Sequence, residues 1–572
     1  ALASCAPLPR RSAQAGLDWS RGQLLGESSV GEPVALFAEP DGSRVHVAWS
    51  RASASGDRIW YAQLDAQGRV LLSQGLALWV RLPHKVRLLA IRPNELVVLY
   101  LSGPGEERRL FAARIDTQGQ VLDSPVQVNT TGVPDDYAAA VTGEGIEVFY
   151  SDDDGLAPGV YHVRLLEGSR SEDTGMLVAP GGSAPEAQVA ANGRVHLAWM
   201  RASGGGEEHV YYAVWSPGTR SLDTPIEVGQ VVLGSKSVRY GPAVALSATH
   251  VYVLWSWERR AASMLGGAGE GQCVYAALPL DGLPAAPVAH RLALPANPAP
   301  HYAPAQGSYA YSVLAYPEGE PAELVYMPAG APGQRQEAAV ALTMETSTRS
   351  RNELQVAVAL LEGQEVKGYQ AAGRAATALA IRPALAADRV GQMHLAWLVP
   401  AGARRYEVYY ATTLPGTRAA MARLGGDDLQ QGLYGAVWAL AQAFSMAPLG
   451  IVWLFVPFVV VILYYVARAD GELYRRGPRI ALGVAVGLYV LVKFFVLPAN
   501  YLGAAPWLDR VPLGFATVYA VALPMVVLLA ALGAMMWYIR RRETPTLLMA
   551  YVIFGVVDCA LTFLLYAPGV YG

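Results

Sequence analysis

Cysteine, lysine and asparagine are scarce in this chain: its 572 residues hold 3 Cys, 4 Lys and 6 Asn. The three cysteines, Cys5, Cys273 and Cys559, lie far apart. That spacing excludes a disulfide scaffold, a CxxC zinc site and a CxxCH haem attachment. Charge is also scarce, at 16% of residues, where an ordinary soluble domain carries about 25%. With 53% hydrophobic residues and a mean hydropathy of +0.24, part of the chain belongs in lipid. No segment has a strong basic excess. From Leu429 onward nine Lys/Arg face five Asp/Glu, and the chain before it holds 35 basic and 42 acidic side chains. A nucleic-acid-binding surface is thereby excluded. No P-loop, GxSxG, HExxH or GxGxxG followed by a helix is present, so no catalytic residue, cofactor site or metal site is indicated. Four Lys against 40 Arg point to a GC-rich genome, and rare asparagine is a compositional trait of thermophiles.

The chain starts with Ala1 and not Met, so the expectation is an N-terminus that has been processed or truncated. Leu2-Ala3-Ser4-Cys5 resembles the bacterial lipobox, which would make Cys5 a lipidation site and Pro7 to Ala15 a tether. Cleavage by an ordinary signal peptidase before Ala1 is the rival reading. Both place the N-terminus outside the cytoplasm, and the segment 1–31 is read as exported.

What the chain does have is internal repetition. Val45-His46-Val47-Ala48-Trp49 is followed by Ile59-Trp60-Tyr61-Ala62. Val195-His196-Leu197-Ala198-Trp199 is followed by Val210-Tyr211-Tyr212-Ala213. Val251 to Trp255 precedes Val274 to Ala277, and Met393-His394-Leu395-Ala396-Trp397 precedes Val408-Tyr409-Tyr410-Ala411. Weaker copies surround Tyr100 and Tyr150, and two degenerate ones lie around Tyr311 to Tyr316 and Val356 to Leu360. The anchor aromatics Trp49, Tyr100, Tyr150, Trp199, Trp255 and Tyr316 follow one another at nearly even steps. Turn signals such as Asp41-Gly42, Asn192-Gly193, Asp65-Ala66-Gln67-Gly68 and Asp116-Thr117-Gln118-Gly119 separate the strands.

Four short strands recurring at this period define a blade, and a ring of blades covers the two apolar faces that a lone sheet would expose. The eight units predict an all-β propeller of seven or eight four-stranded blades over 32–418. Its ring must be closed, and Leu17 to Ser28 can supply the outer strand of the last blade. The units resemble the sialidase-type (BNR-like) propeller repeats of bacterial exported proteins, through the apolar-Ala-Trp strand followed by Val-Tyr-Tyr-Ala. The Asp-box of that family is nearly absent: Ser151-Asp152-Asp153-Asp154-Gly155 matches its first half, and Pro158 stands where Trp belongs. The resemblance therefore implies a fold more than an activity.

The C-terminal part of the chain reads as a membrane domain. Residues 419–446 form a linker with an interfacial amphipathic helix, Leu429 to Phe444. The domain 447–572 holds four expected transmembrane helices, about Ala447 to Ala467, Ile480 to Leu497, Val511 to Ile539 and Pro545 to Ala567. The loop after the first holds Arg468, Arg475, Arg476 and Arg479, and the loop after the third holds Arg540, Arg541 and Arg542. By the positive-inside rule both are cytoplasmic. The expectation is a multi-pass protein of the bacterial cytoplasmic membrane, with its propeller and C-terminus on the extracytoplasmic side.

Two charges fall within these spans, Lys493 and Asp558. Each is 14 residues past the cytoplasmic edge of its helix, about 21 Å deep at 1.5 Å per residue. Equal depth and opposite sign imply an interhelical ion pair, because each charge alone is costly in lipid. It serves as a structural clasp, with a proton path or a partner subunit as the alternatives. His46, His196 and His394 occupy equivalent strand positions, which a ring keeps apart, so they are read as local blade residues and not metal ligands. Trp49, Trp199, Trp255 and Trp397 are read in the same way as blade-packing aromatics. Asp152-Asp153-Asp154 lacks the spaced ligand pattern of a calcium loop.

The functional expectation is an extracytoplasmic binding or scaffold module in contact with membrane lipid. It would be a subunit of a larger complex with other membrane or extracytoplasmic proteins, since four helices exceed what anchoring requires. The alternative is a cell-surface glycan-processing enzyme, a sialidase-like glycoside hydrolase. It would need Arg, Glu, Asp or Tyr side chains converging at one mouth of the propeller axis.

Overall fold

A strand apolar on both faces is stable only between two other sheets. Val45 to Trp49, all buried, is such a strand. The computed structural model describes 18–422 and 447–571 with gaps, the longer ones being 260–269, 295–302, 305–311, 316–324 and 494–512. The chain forms two compact units that divide near residue 424.

The first unit is a seven-bladed β-propeller. Blade 1 runs outward through Ala35–Ala38, Arg44–Ser53, Gly56–Asp65 and Val70–Gly75. The inner strands of blades 2 to 7 are His84–Arg92, Pro134–Thr142, Gly182–Val189, Ser237–Leu246, Val325–Gly330 and Ile381–Ala387. Each inner strand packs against the next, and that of blade 7 packs against that of blade 1, so the ring closes. Closure is completed by Gln23–Ser28, which pairs antiparallel with Arg405–Thr412 as the outer strand of blade 7. Cys5 and nearly all of 1–17 lie outside the described residues, as does most of the expected interfacial helix.

The eight sequence units reduce to seven blades. The two degenerate ones belong to one six-stranded sheet, in which Ser312–Ala315 pairs with Glu365–Gly373, itself paired with Asn352–Glu362. Counting strand motifs overcounts blades when a sheet recruits an extra outer strand from upstream.

Each of the seven interfaces between blades has its own apolar cluster. The indoles key these interfaces together. Trp49 of blade 1 lies against Gly26 of the closing strand, and Trp255 of blade 5 lies against Gly229 of blade 4. A Cβ on Gly229 would sit 2.3 Å from the Trp255 ring, so the glycine is required by the neighbouring blade. The three signature histidines each bond a tyrosine on the next strand through Nδ1: His46 to Tyr61 at 2.7 Å, His196 to Tyr212 at 2.6 Å and His394 to Tyr410 at 2.8 Å. Between blades 3 and 4, Glu147 is fully buried and accepts from Arg164 Nε at 2.8 Å and Trp215 Nε1 at 3.2 Å, with His162 Nε2 at 2.5 Å. Burial opposes the ionised form of Glu147, but the His162 contact and the Arg164 hydrogen bond and charge hold its carboxyl below its ordinary value.

A short helix, α1 (Pro415–Ala422), follows the last blade, and its Thr417 donates to the Ala66 carbonyl at 3.0 Å. The second unit contains α2 (Ala447–Arg468), α3 (Arg476–Leu491), α4 (Leu513–Arg541) and α5 (Leu547–Tyr571). Each expected span coincides with a helix, but the expectation of four transmembrane helices is corrected. Among the described residues, two helices are long and apolar enough to cross a membrane, Val521–Arg541 and Leu547–Tyr566. The α-helical part described for α3 is 16 residues, about 24 Å, and the described apolar part of α2 is Leu454–Arg468. The helices share one interior cluster around Ala485, Tyr489, Ala531, Tyr551 and Phe554. Large apolar side chains such as Val466 (80% exposed), Val526 (60%) and Leu529 (62%) face outward. The two Arg-rich turns touch: Leu473 N–H donates to Pro545 O at 2.9 Å and Leu547 N–H to Gly471 O at 2.8 Å. They therefore lie at the same end of the bundle.

Two outcomes follow from the packing of the blades. Gly229→Ala is expected to lower stability by about 1–3 kcal/mol through overpacking against Trp255, whereas Gly143→Ala, with open space around it, should be neutral in thermal denaturation. The second concerns acid. Burial, reinforced by the Arg194 charge, lowers His196 to about 4, below the unfolded value of about 6.5. Its contribution is thus complete above pH 6.5 and is lost as pH falls toward 4, by about 3 kcal/mol. Denaturant titrations at pH 7 and pH 4 should show His196→Gln losing less stability across this interval than the wild type. An identical loss would contradict it.

Candidate functional site

The inner strands are edge strands, so their unpaired side tolerates proline and bulges. Six of the seven break register at the same end, between His84/Arg87, Pro134/Asp136, Ser183/Glu186, Tyr240/Ala243, Tyr326/Ala329 and Ile381/Ala384. In four of them the bulge residue is left-handed: Lys85 (φ 49°), Ala184 (48°), Gly241 (99°) and Arg382 (55°). Three are followed by proline, at Pro185, Pro242 and Pro383. Glycine adopts this conformation freely. Lys85 and Arg382 hold it at a cost of about 1 kcal/mol or more each.

The bulges direct charged side chains to the axis, as contacts between non-adjacent blades show. Arg87 of blade 2 meets Glu186 of blade 4, with Nη2 to Oε2 at 2.6 Å. The Arg382 guanidinium of blade 7 lies 5.0 Å from the ring centre of Tyr240 in blade 5. Each contact skips a blade, which only a group over the axis can do. Around them Lys85 Nζ pairs with Asp136 at 2.5 Å and Arg239 Nη1 with Glu208 at 2.5 Å. Glu32 accepts from the Lys85 N–H at 2.6 Å and lies 3.7 Å from His84 Nδ1. Tyr137 donates to the Lys85 carbonyl, and Tyr240 to Glu258 at 2.8 Å.

These neighbours set the ionisation of the mouth. Burial would raise the Glu32 carboxyl, but the nearby His84 ring, the hydrogen bond from Lys85 N–H and the Lys85 charge hold it below its ordinary value. Burial would lower the Arg87 guanidinium, and the Glu186 carboxylate more than reverses this. Tyr137 is raised by burial and stays a neutral donor. Chemically the mouth offers fixed donors and acceptors, with one histidine 3.7 Å from a carboxylate. Among the described residues no cluster of His, Cys, Asp or Glu has the makings of a metal site.

The residues singled out from sequence lie elsewhere. Trp49, Trp199, Trp255 and Trp397 are buried in the second strands of their blades. Tyr211 stacks on Trp199 and Tyr409 on Trp397, with centroids at 5.9 Å and 5.7 Å. Lys493, in a π-helical turn that continues α3, contacts Asp558 of α5 directly. Lys493 also donates to Thr562 Oγ1 at 2.9 Å, and Tyr489 Oη donates to Asp558 at 2.5 Å. Both charges are fully buried. The mouth residues went unread because they lie on different blades. The available signal was the recurrence of Ala184-Pro185-Glu186, Gly241-Pro242-Ala243 and Arg382-Pro383-Ala384 at the start of inner strands.

Fold and mouth together define a seven-bladed β-propeller with a polar axial site. No protein-family model matches the sequence, and no curated protein does. Among solved structures the chain is similar to a PL25 ulvan lyase bound to -[GlcA(1-4)Rha3S]-, at 12% identity and a TM-score of 0.44, over 67% of this chain and 94% of that one. It is also similar to the polysaccharide lyase Uly1, at 9% identity and a TM-score of 0.41, over 68% and 91%. A third is the GH93 α-L-arabinofuranosidase of Fusarium graminearum, at 7% identity and a TM-score of 0.36, over 67% and 92%.

The clasp in the helical unit has its own test. Removing one partner strands a buried charge, whereas removing both does not. Lys493→Met and Asp558→Leu should each destabilise the detergent-solubilised protein by about 3–5 kcal/mol. The double variant should be less damaged than the sum of the two, as read by a double-mutant cycle of thermal unfolding.

Proposed function

We propose that this protein is a membrane-held, extracytoplasmic β-propeller that binds and processes a polysaccharide at the axial mouth. The observation that carries this reading is the pair of contacts across the axis, Arg87 to Glu186 and Arg382 to Tyr240. They place Arg, Glu and Tyr side chains at one opening, the arrangement that a glycan-processing propeller needs. Planar guanidinium–carboxylate pairs present a fixed array of donors and acceptors to hydroxyl groups. Blade packing requires no such array. Arg87, Glu186 and Arg239 hold the sugar in this reading, and His84, which lies 3.7 Å from Glu32, handles the proton.

The helical unit is read as the membrane anchor, with α4 and α5 as its spans. Outward-facing apolar side chains support this, since a water-exposed surface of that kind would be unfavourable. The contact between the two Arg-rich turns supports a single cytoplasmic end. An even number of spans then returns the C-terminus to the propeller's side.

The purified full-length protein, incubated with a panel of polysaccharides, should shorten at least one of them, measured as new chain ends. His84→Ala should abolish product formation with binding retained. Arg87→Ala should weaken binding by about tenfold or more, the loss expected for a charge-assisted hydrogen bond. A wild-type protein that neither binds nor cleaves any member of the panel would refute the reading.

A further inference from the structure

The connection from blade 1 to blade 2 carries an unusual side chain. Trp79 is 88% exposed, the most exposed large apolar residue among those described. It is not on a loose loop. Leu76, Leu78 and Val80 are buried in the cluster between blades 1 and 2. The backbone around Trp79 is tied on both sides: Leu76 N–H donates to Ile59 O at 2.8 Å, and Gly103 N–H donates to Arg81 O at 2.8 Å. Leu82 N–H donates to Asp57 at 2.8 Å, and Ser102 Oγ donates to Arg81 O at 3.0 Å. The alternation of buried and exposed positions from Leu76 to Val80 therefore fixes the indole in water. An indole held out by a pinned backbone gains nothing for the fold and is preorganised for a ligand.

Its place identifies the ligand. Pro83 and His84 follow Leu82 directly, and the Lys85 bulge lies six positions beyond Trp79, a reach of at most about 21 Å. The platform and the mouth lie on one continuous segment. The same segment carries charged groups: Arg81, two positions on, pairs with Glu107, and Asp57 accepts from Leu82 N–H. Of large apolar neighbours in the segment, only Leu82 shares its exposure, at 54%. This is not the broad apolar patch that a bilayer or a protein partner would bury. A flat ring rimmed by polar groups fits a sugar, whose C–H face stacks while its hydroxyls reach the rim. At the mouth the four cations Lys85, Arg87, Arg239 and Arg382 are met by the five carboxylates Glu32, Asp136, Glu186, Glu208 and Glu258. A compensated mouth gives no net attraction for a polyanion.

We propose that Trp79 is the stacking platform of an outer subsite, and that the glycan running from it into the axial mouth is uncharged. This rests on the glycan reading of the mouth. The test is calorimetric binding of the full-length protein to cello-, xylo-, manno- and arabino-oligosaccharides of two and six units. A hexasaccharide should bind about tenfold more weakly to Trp79→Ala, the scale of one aromatic contact, and Trp79→Phe should recover most of the loss. The matching disaccharide, filling only the mouth, should bind both alike, whereas Arg87→Ala should weaken both lengths. Equal hexasaccharide binding by wild type and Trp79→Ala would overturn the platform and leave the glycan reading standing. Binding of oligouronates in place of neutral chains would overturn the uncharged ligand. A blue shift of Trp79 emission on anionic phospholipid vesicles, with no response to any oligosaccharide, would overturn the platform in favour of membrane docking. Failure of wild type to bind any oligosaccharide would remove both readings.

Discussion

A blade with two apolar faces cannot stand alone, and this one constraint governs the chain as far as the end of its last blade. Every sheet must lie between two others, so the array has no stable end, and the only arrangement that satisfies all seven is a circle. The seam is sealed by hydrogen bonds from Gln23–Ser28 to Arg405–Thr412. The same demand for close approach explains why glycines sit in outer strands opposite the indoles of the next blade, at Gly26 against Trp49 and Gly229 against Trp255. A large side chain in one blade is matched by the smallest residue in its neighbour.

The ring also creates its functional opportunity. Seven inner strands present unpaired edges to the axis, where bulges break no sheet ladder on that side. Lys85 and Arg382 occupy backbone conformations that glycine would accept without strain. Strain of this kind persists where the surrounding structure enforces it, and here it accompanies side chains that reach across the axis. The rigid blades supply the positions and the irregular strand starts supply the chemistry. Blade interiors and mouth thus follow opposite rules: apolar and regular in one, polar and bulged in the other.

How much of this was legible in the chain depends on whether the relevant residues share a strand or meet only in space. The blade signatures were legible because the apolar-Ala-Trp and Val-Tyr-Tyr-Ala runs each lie within one strand. The blade count stayed open between seven and eight because Ser312–Ala315 and Asn352–Glu362 resemble two units and form one sheet. The axial site was illegible because Arg87 and Glu186 are 99 positions apart and meet only through the rotation of the ring. Lys493 and Asp558 could be placed at equal depth because the helical rise is fixed and the Arg-rich turns mark its origin. The lengths of the helices were less legible: hydropathy ran across residues of which the described helical part of α3 spans only 16.

Sealing the ring with its first strand also imposes an order in time. Thr412 N–H bonds Ser20 Oγ across 392 positions of sequence. That seam, like the packing of blade 7 on blade 1, cannot form until the last blade has been made and has arrived beside the first. Contacts of such separation form slowly, because the loop they close must be ordered first. Until then Arg405–Thr412 and the first blade each keep an open edge, so the ring closes late, as a single event.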